Sequence, residues 1–348
     1  MSRVKLGDVT REHKETIKGD KSNYPIVGLE HLIPENIRLT QWDYNKENTF
    51  TKVFRKGCVL FGRRRAYLKK AAYADFDGIC SGDITVIEAI PEKILPELLP
   101  FVIQNDDLFD YAVGKSAGSL SPRVKWEHLK NYEFELPDIE RQHELAKMLW
   151  SIVETKESYE RLMAATDELV KSQFIELISS EIREVRLGDI ICYKAKSKIQ
   201  ARDGKLKGKY PLFNSSDEQT LWIDNYLYDN ETIFLPTGGK AAINYYKGKC
   251  SATTDNICFS GNEEYLTRYI YLSLWRDLSV LQKGFKGSGL QHISKEYVED
   301  IRIKAPNMET QNRIIEIANQ SDKSKFELEN CIKNAVSMYK KILKEYLG

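Results

Sequence analysis

The strongest chemical signal in this sequence is a basic segment at residues 51–70. It holds eight lysine and arginine residues and no acidic residue. Within it, a short apolar run and a glycine precede a loop that combines arginines with a tyrosine. A guanidinium group can donate paired hydrogen bonds to a phosphate or to a guanine edge, and a tyrosine ring packs on sugars and bases. The residues predicted to make such contacts are Arg63, Arg64, Arg65, Tyr67, Lys69 and Lys70.

A second basic and aromatic segment, at residues 237–247, occupies the corresponding place later in the chain. Two loops, at 113–119 and 283–289, combine glycine, serine and lysine, which allows the backbone to approach a phosphate closely. Neither loop is a P-loop, because the G-x-x-x-x-G-K-[ST] pattern is absent. A solvated basic loop is the alternative for each segment alone, but their recurrence favours a nucleic acid. The further predicted contacts are Lys115, Ser119, Arg123, Lys240, Asn244, Tyr245, Lys283, Lys286, Ser288 and Gln291.

Motifs for catalysis do not accompany these basic segments. The five histidines form no H-E-x-x-H pattern and no paired metal spacing. The Asn/Asp-Pro-Pro-aromatic signature of amino-group DNA methyltransferases is absent as well. We therefore predict no catalytic residue and no metal ligand, and we interpret the chain as a binding protein without chemistry of its own.

Length and composition limit the class of protein. At 348 residues the chain has room for two or three domains. Charged residues make up 30% of it but balance to a formal charge of +1, so overall charge does not indicate a polyanionic partner. Since no stretch approaches the roughly 20 apolar residues of a membrane span, we expect a cytosolic protein without membrane contact. The six cysteines, which form no C-x-x-C pair, are predicted to be reduced packing residues, with zinc binding as the minor alternative.

The basic segments lie in two copies of one unit. Both halves begin alike, with Val4-Lys5-Leu6-Gly7-Asp8 and Val185-Arg186-Leu187-Gly188-Asp189. Short β-rich runs and an apolar helical stretch follow in each, so the pattern predicts an α+β module that occurs twice. The residues that recur 169 positions later are Gly118, Val124, Leu129, Phe134, Pro137 and Gln142, matched by Gly287, Ile293, Val298, Ile303, Pro306 and Gln311.

Each module is followed by about forty residues without proline whose apolar positions step by threes, fours and sevens. This spacing predicts one apolar face on a helix of about 60 Å. Such a face exceeds what one module covers, so we expect the two helices to pair as an antiparallel coiled coil, with the modules at opposite ends and a pseudo-twofold axis between them. The alternative is two independent helices, each packed on its own module.

In their order, these features resemble the specificity (S) subunits of type I restriction-modification enzymes, and the likeness covers the whole chain. It is carried by the repeated opening, by residues 61–70 leading to 77–83, and by Ser121-Pro122-Arg123-Val124-Lys125-Trp126. The helix start Ile139-Glu140-Arg141-Gln142 is answered by Met308-Glu309-Thr310-Gln311. The second copy departs from the pattern with Thr253-Thr254-Asp255-Asn256, where the first has Cys80-Ser81-Gly82-Asp83.

The resemblance implies target recognition domains at 1–138 and 181–306 and spacer helices at 139–180 and 307–348. It also implies a non-catalytic subunit that reads a bipartite, asymmetric target in double-stranded DNA. Two methyltransferase (M) subunits that methylate adenine N6, and restriction/translocase (R) subunits, would be its partners. We expect no cofactor in this chain; S-adenosylmethionine, ATP and Mg would be used by those partners. The alternatives from the residues alone are a coiled-coil adaptor that binds other proteins and, with least support, a stand-alone nuclease or methyltransferase.

Overall fold

The computed structural model describes residues 2–118, 120–216, 219–287 and 291–348. Two compact units make up the chain. The first comprises Met1–Arg161 and Leu328–Gly348, and the second comprises Leu162–Glu327. Each unit therefore contains one module together with a part of both long helices.

The described strands of the first unit belong to one module. They are β1 (Ser2–Lys5), β2 (Thr10–Glu12), β3 (Ile26–Val27), β4 (Lys52–Phe54), β5 (Val59–Gly62), β6 (Ala71–Tyr73), β7 (Gly78–Cys80), β8 (Ile84–Ala89) and β9 (Glu133–Leu136). The helices are α1 (Leu6–Val9), α2 (Leu99–Ile103), α3 (Asp106–Gly114), α4 (Trp126–Leu129) and the first part of α5 (Ile139–Ile178). The apolar helical stretch of this module is thus divided into α2 and α3, because the Asn105 side chain accepts a hydrogen bond from the Asp107 amide and starts a new helix there.

A four-stranded sheet in the order β2-β8-β5-β6 forms the centre of this module, beside a three-stranded sheet in the order β3-β7-β4. The central strand β5 is buried along its whole length. Val59 and Phe61 pack into one core with α2 and α3, whereas Leu60 packs into a second core with Val86. Successive side chains of a strand point to opposite faces, so a strand covered on both faces is apolar throughout.

The second unit repeats this plan. Its strands are β10 (Glu184–Arg186), β11 (Ile191–Tyr193), β12 (Tyr210–Phe213), β13 (Leu221–Ile223), β14 (Glu231–Pro236), β15 (Asn244–Lys247), β16 (Ser251–Ala252), β17 (Asn256–Gly261) and β18 (Arg302–Lys304). Its helices are the last part of α5, α6 (Leu187–Ile190), α7 (Thr267–Trp275), α8 (Ser279–Gln282), α9 (Lys295–Asp300) and the first part of α10 (Met308–Tyr346). The four-stranded sheet β11-β17-β14-β15 repeats the strand order of the first module. The predicted duplication of an α+β module is confirmed.

Both long helices are present, and their pairing within each unit runs in the predicted direction. In the first unit, Leu145 and Leu149 near the start of α5 share a core with Leu343 near the end of α10. In the second unit, Phe174 near the end of α5 shares a core with Ile314 near the start of α10. The start of one helix therefore packs beside the end of the other in both units, as antiparallel pairing requires. None of the described helices is long and apolar enough to cross a membrane.

A buried glutamine ties each long helix to its module. The Gln142 side chain accepts a hydrogen bond from the Leu95 amide at 2.8 Å and donates one to the Pro137 carbonyl at 2.9 Å. The Gln311 side chain accepts from the Leu266 amide at 3.0 Å and donates to the Pro306 carbonyl at 3.1 Å. These bonds explain why glutamine recurs at the same offset, because it satisfies backbone groups that would otherwise be buried without a partner.

Candidate nucleic-acid interface

Three segments of the first module meet at one end of its four-stranded sheet. Gly62, the last residue of β5, pairs with Ile84 of β8. Just beyond the strands, the Arg63 amide donates to the Asp83 carbonyl at 3.0 Å. Arg123 then forms backbone bridges with Arg64 and with Ala117. The sheet end thereby holds the arginine loop, the residue before β8, Ala117 and Arg123 together; we call this the first strand-end site.

A charged cluster occupies the first strand-end site. The Arg123 guanidinium donates from Nε to Asp83 Oδ1 at 2.7 Å and from Nη2 to Asp83 Oδ2 at 3.2 Å. Arg64 Nη1 lies 3.8 Å from Asp83 Oδ2, and Arg64 Nε donates to Ser121 Oγ at 2.5 Å. Arg63 Nε is buried and makes no hydrogen bond to the part of the chain that the structure describes. The Asp83 carboxylate thus contacts the guanidinium groups of Arg123 and Arg64, and with Arg63 nearby the cluster keeps a positive charge.

The hydrogen bond from Arg123 also lowers the pKa of the Asp83 carboxyl below its ordinary value, and the charges of Arg123, Arg64 and Arg63 act in the same direction. A cation within a few ångströms favours the ionised carboxylate. Asp83 is therefore an anion at physiological pH, and it orients the arginines around it.

The arginine loop continues through a short 3₁₀ turn at Ala66–Leu68. Arg65 and Lys69, which flank this turn, both adopt left-handed backbone conformations, with φ of 54° and 49°. Non-glycine residues adopt this conformation infrequently, and such positions concentrate at functional sites. The turn leaves Arg65 exposed and Tyr67 55% exposed, so both side chains are accessible to a ligand.

Other cations of the basic segment are engaged elsewhere. Lys69 Nζ donates to Asp106 Oδ1 at 2.5 Å, and Lys70 Nζ donates to the Leu29 carbonyl at 2.7 Å. Arg55, at the opposite end of β5, pairs with Glu15 and Asp77. The sequence pattern predicted the same role for these lysines as for Arg64. Residue spacing does not specify in which direction a side chain points within a loop that contains left-handed residues. Lys115 is exposed, with its ammonium 5.7 Å from the Tyr111 ring centroid.

The second module builds the same frame at the end of β14 and β17. The Thr237 amide donates to the Asp255 carbonyl at 2.8 Å. His292 forms backbone bridges with Gly238 and with Lys286. Gly238 therefore stands at the place of Arg64, His292 at the place of Arg123 and Asp255 at the place of Asp83. We call this arrangement the second strand-end site.

Four of the predicted contacts of the second module lie around this site. Lys240, Lys283, Lys286 and Gln291 are all exposed, and the Gly239 amide donates to the Gln291 carbonyl at 3.3 Å. His292 Nδ1 lies 3.2 Å from the Thr237 carbonyl oxygen. The second strand-end site thus offers lysines in place of an arginine cluster.

Asn244 and Tyr245 are placed differently, in strand β15. The Asn244 side-chain amide donates to the Ser216 carbonyl at 3.2 Å. The Tyr245 ring lies 5.5 Å from the Tyr271 ring, and the Arg268 guanidinium lies 4.5 Å above it. Burial raises the pKa of the Tyr245 hydroxyl. Tyr245 therefore packs mainly within its own module. The predicted contacts Ser119 and Ser288 lie outside the described residues.

Sequence reasoning missed Asp83, Ser121, Asp255 and His292 as parts of the site. Asp83 and Asp255 are the acidic residues that directly precede the equivalent strands β8 and β17. That position was a usable signal. In an antiparallel pair the start of one strand lies beside the end of the other, so the residue before β8 or β17 lies beside the residue that follows β5 or β14. Among the described residues, no group of three or more histidine, cysteine, aspartate or glutamate side chains could hold a metal ion.

A duplicated α+β module with matched loops at equivalent strand ends defines a two-site binding protein. The family model described as "Type I restriction modification DNA specificity domain" matches residues 2–164 and again 179–338. The chain belongs to this family.

Two curated relatives agree with this assignment. The chain is 29% identical over 150 residues, 40% of its length, to the type I restriction enzyme MjaVIII specificity subunit of Methanocaldococcus jannaschii. It is 26% identical over 136 residues, 38% of its length, to the EcoDI specificity subunit of Escherichia coli. These matches span only 35% and 30% of the relatives' own lengths.

Two solved structures share the fold along nearly the whole chain. The S subunit of a type I restriction-modification system from M. genitalium has a TM-score of 0.59 at 15% identity, over 98% of this chain and 95% of that one. A chain from a structural study of complex assembly and conformational transition of the type I R-M system has a TM-score of 0.55 at 19% identity, over 99% and 97%. At these identities the likeness concerns the fold.

Proposed function

We propose that this chain is the DNA sequence-specificity subunit of a type I restriction-modification enzyme and that each module reads one half of a bipartite, asymmetric target. The observation that carries the proposal is that the family model matches both modules, each of which presents basic side chains at the same strand-end site. Arg65 at the first site and Lys240 at the second are exposed cations suited to phosphate, whereas Arg64 and Arg123 are oriented groups suited to base edges.

The asymmetry of the target follows from the side chains. At equivalent backbone positions, the first strand-end site carries Arg64 and Arg123, whereas the second carries Gly238 and His292. Two sites with equivalent frames and different donors recognise different base sequences, because base readout depends on the donor and acceptor pattern. The target is therefore expected to consist of two unequal half-sites.

The partners follow from the same proposal. Two M subunits would bind this chain and methylate adenine N6 with S-adenosylmethionine, and R subunits would add ATP- and Mg-dependent translocation and cleavage. Because a methyltransferase must take its target base out of the duplex, base flipping would fall to an M subunit. This chain would contribute recognition, and its relatives are likewise named as specificity subunits. Family membership gives no support to the alternative of an adaptor for other proteins.

Methylome sequencing of host cells with and without the gene tests the proposal. The expected result is that deletion removes N6-methyladenine from one bipartite motif and that the intact gene restores it. Charge reversal of Arg64 and Arg65 together should abolish the same methylation, and charge reversal of the exposed Lys56, at the other end of β5, should not. An unchanged methylome after deletion, combined with a purified complex that protects no bipartite sequence, would overturn the proposal.

A further inference from the structure

The bond between Arg123 and Asp83 uses one particular edge of the guanidinium group. Nε and Nη2 donate to the two carboxylate oxygens. A guanidinium is planar and carries five N–H donors in a fixed fork. The second edge, formed by Nη1 and the remaining hydrogen of Nη2, makes no hydrogen bond to the described residues. Arg123 is exposed, so this edge is available to a ligand.

We infer that Asp83 positions Arg123 to recognise a guanine in the half-site that the first module contacts. The inference rests on the proposed function and adds to it a base, a reading residue and a positioning residue. The free edge offers two parallel N–H groups. In the major groove, guanine is the base that presents two acceptors side by side, O6 and N7, whereas adenine and cytosine present an amino donor there.

The carboxylate also favours a base over a phosphate as the ligand of Arg123. A phosphate that approached the free edge would meet the negative charge of Asp83 behind it, whereas a guanine edge carries no net charge. Arg65, at the other side of the same loop, is exposed and has its backbone amide on the Pro122 carbonyl at 2.8 Å. The site therefore contains two kinds of arginine: Arg123, which is paired with a carboxylate and oriented, and Arg65, which is exposed and suited to phosphate.

Neighbouring residues hold the pair in place. Ser121 accepts a hydrogen bond from Arg64 Nε, and Arg64 Nη1 lies 3.8 Å from Asp83 Oδ2, the oxygen that also accepts from Arg123 Nη2. Asp83 is itself fixed by its position directly before β8, where its carbonyl accepts from Arg63. An arginine held in one orientation loses less conformational entropy on binding, which increases its contribution to discrimination.

The second strand-end site lacks this device. His292 stands at the place of Arg123, and its Nδ1 lies against the Thr237 carbonyl oxygen. The Asp255 carboxylate has only the Thr254 hydroxyl, at 3.5 Å, as a hydrogen-bond partner among the described residues. The guanine contact is therefore assigned to the first module alone.

The test uses the full chain assembled with its M subunits and duplexes that carry the motif found by methylome sequencing, with each base pair varied in turn. D83N and R123Q should each reduce discrimination at one and the same G·C pair, by roughly 5- to 150-fold, the range for a bidentate arginine contact. D83E should restore part of it. All other positions, including the whole second half-site, should keep their preference, which also reports that the variant is folded.

The matched control is D77N. Asp77 lies in the same module at the opposite end of β5, where it accepts a hydrogen bond from Arg55 Nη1 at 2.8 Å. The D77N substitution should leave every base preference unchanged. Unchanged discrimination in D83N and R123Q would overturn the inference, as would a uniform loss at all positions in both variants. Failure of the proposed function would look different, because then no bipartite motif would depend on the gene at all.

Discussion

The two modules agree in their backbone and differ in their chemistry. In each module, a backbone bridge to a later loop follows the end of the central antiparallel strand pair. The bridge joins Arg64 and Arg123 in the first module and Gly238 and His292 in the second. The first module places a carboxylate-bound arginine on this frame, and the second places exposed lysines around a histidine. Duplication has therefore kept the frame that positions the loops, while the side chains at the strand-end sites have diverged.

The three-stranded sheets differ more deeply. In the first module the middle strand β7 pairs parallel with β3 and antiparallel with β4. In the second, the middle strand β12 pairs parallel with β16 and antiparallel with β13. The parallel pair is common to both, and the third strand is added to opposite members of that pair. The part of the module outside the four-stranded sheet thus tolerates rearrangement, which fits its smaller cores.

The largest expected effect concerns the common frame. Phe61 and Leu235 occupy the same place, one residue before the end of β5 and of β14, and both are fully buried. F61A should cost about 3–5 kcal/mol and L235A about 2–5 kcal/mol of unfolding free energy, because each leaves a cavity in a closely packed core. Urea unfolding measures both losses.

The exposed residue Glu92 provides the control for these substitutions, since E92A should change the free energy of unfolding by less than about 0.5 kcal/mol. If L235A left the free energy of unfolding unchanged, the comparison would fail, because the second module would then not depend on the equivalent strand.

A smaller loss of stability is expected at the recurring glutamines. Gln142 and Gln311 are 3% and 1% exposed, and each satisfies a backbone amide and a proline carbonyl. Q142A and Q311A should each cost about 1–3 kcal/mol, the penalty for burying polar groups without partners. Q320A, at an exposed position of α10, is the control for urea unfolding. Clearly unequal losses would show that the two modules are tied to the helices differently.

The third prediction compares the exposed cations of the two strand-end sites. R65A and K240A should each reduce the slope of log binding constant against log salt concentration by about 0.9, since each would remove one of the proposed phosphate contacts. The slope is measured with the assembled complex on its target duplex. K56A, at the far end of β5, should leave it unchanged. A reduced slope in only one of the two variants would restrict phosphate binding to that module.

Much of this frame could be predicted from the sequence, because periodicity and turn residues are local signals. The long helices at Ile139–Ile178 and Met308–Tyr346 and the strand β5 all lie where the apolar patterns indicated. The fate of individual side chains could not be predicted in the same way. Lys70 turns to the Leu29 carbonyl, and Arg123 finds Asp83 forty positions away. Both contacts depend on strand register and loop conformation, which residue spacing does not specify.

The smallest effect, and the sharpest test of the difference between the two sites, is the coupling between Asp83 and Arg123. A double-mutant cycle with D83N and R123Q should give a small favourable coupling energy at neutral pH, since the pair is partly exposed. The pKa of Asp83 is lowered in the folded chain, so this stabilisation is complete above the ordinary aspartate pKa of about 3.9 and is lost as the pH falls through the lower folded value.

The equivalent cycle in the second module, with D255N and H292Q, should give no coupling at neutral pH, because the His292 ring contacts the Thr237 carbonyl oxygen and not a carboxylate. Both cycles are measured by urea unfolding at pH 7 and at pH 3. Equal coupling in the two modules would mean that the histidine and the arginine play the same part, and the chemical distinction between the strand-end sites would then be lost. Coupling in the first module that persists unchanged in acid would show that packing, and not the ionised carboxylate, holds Arg123 in place.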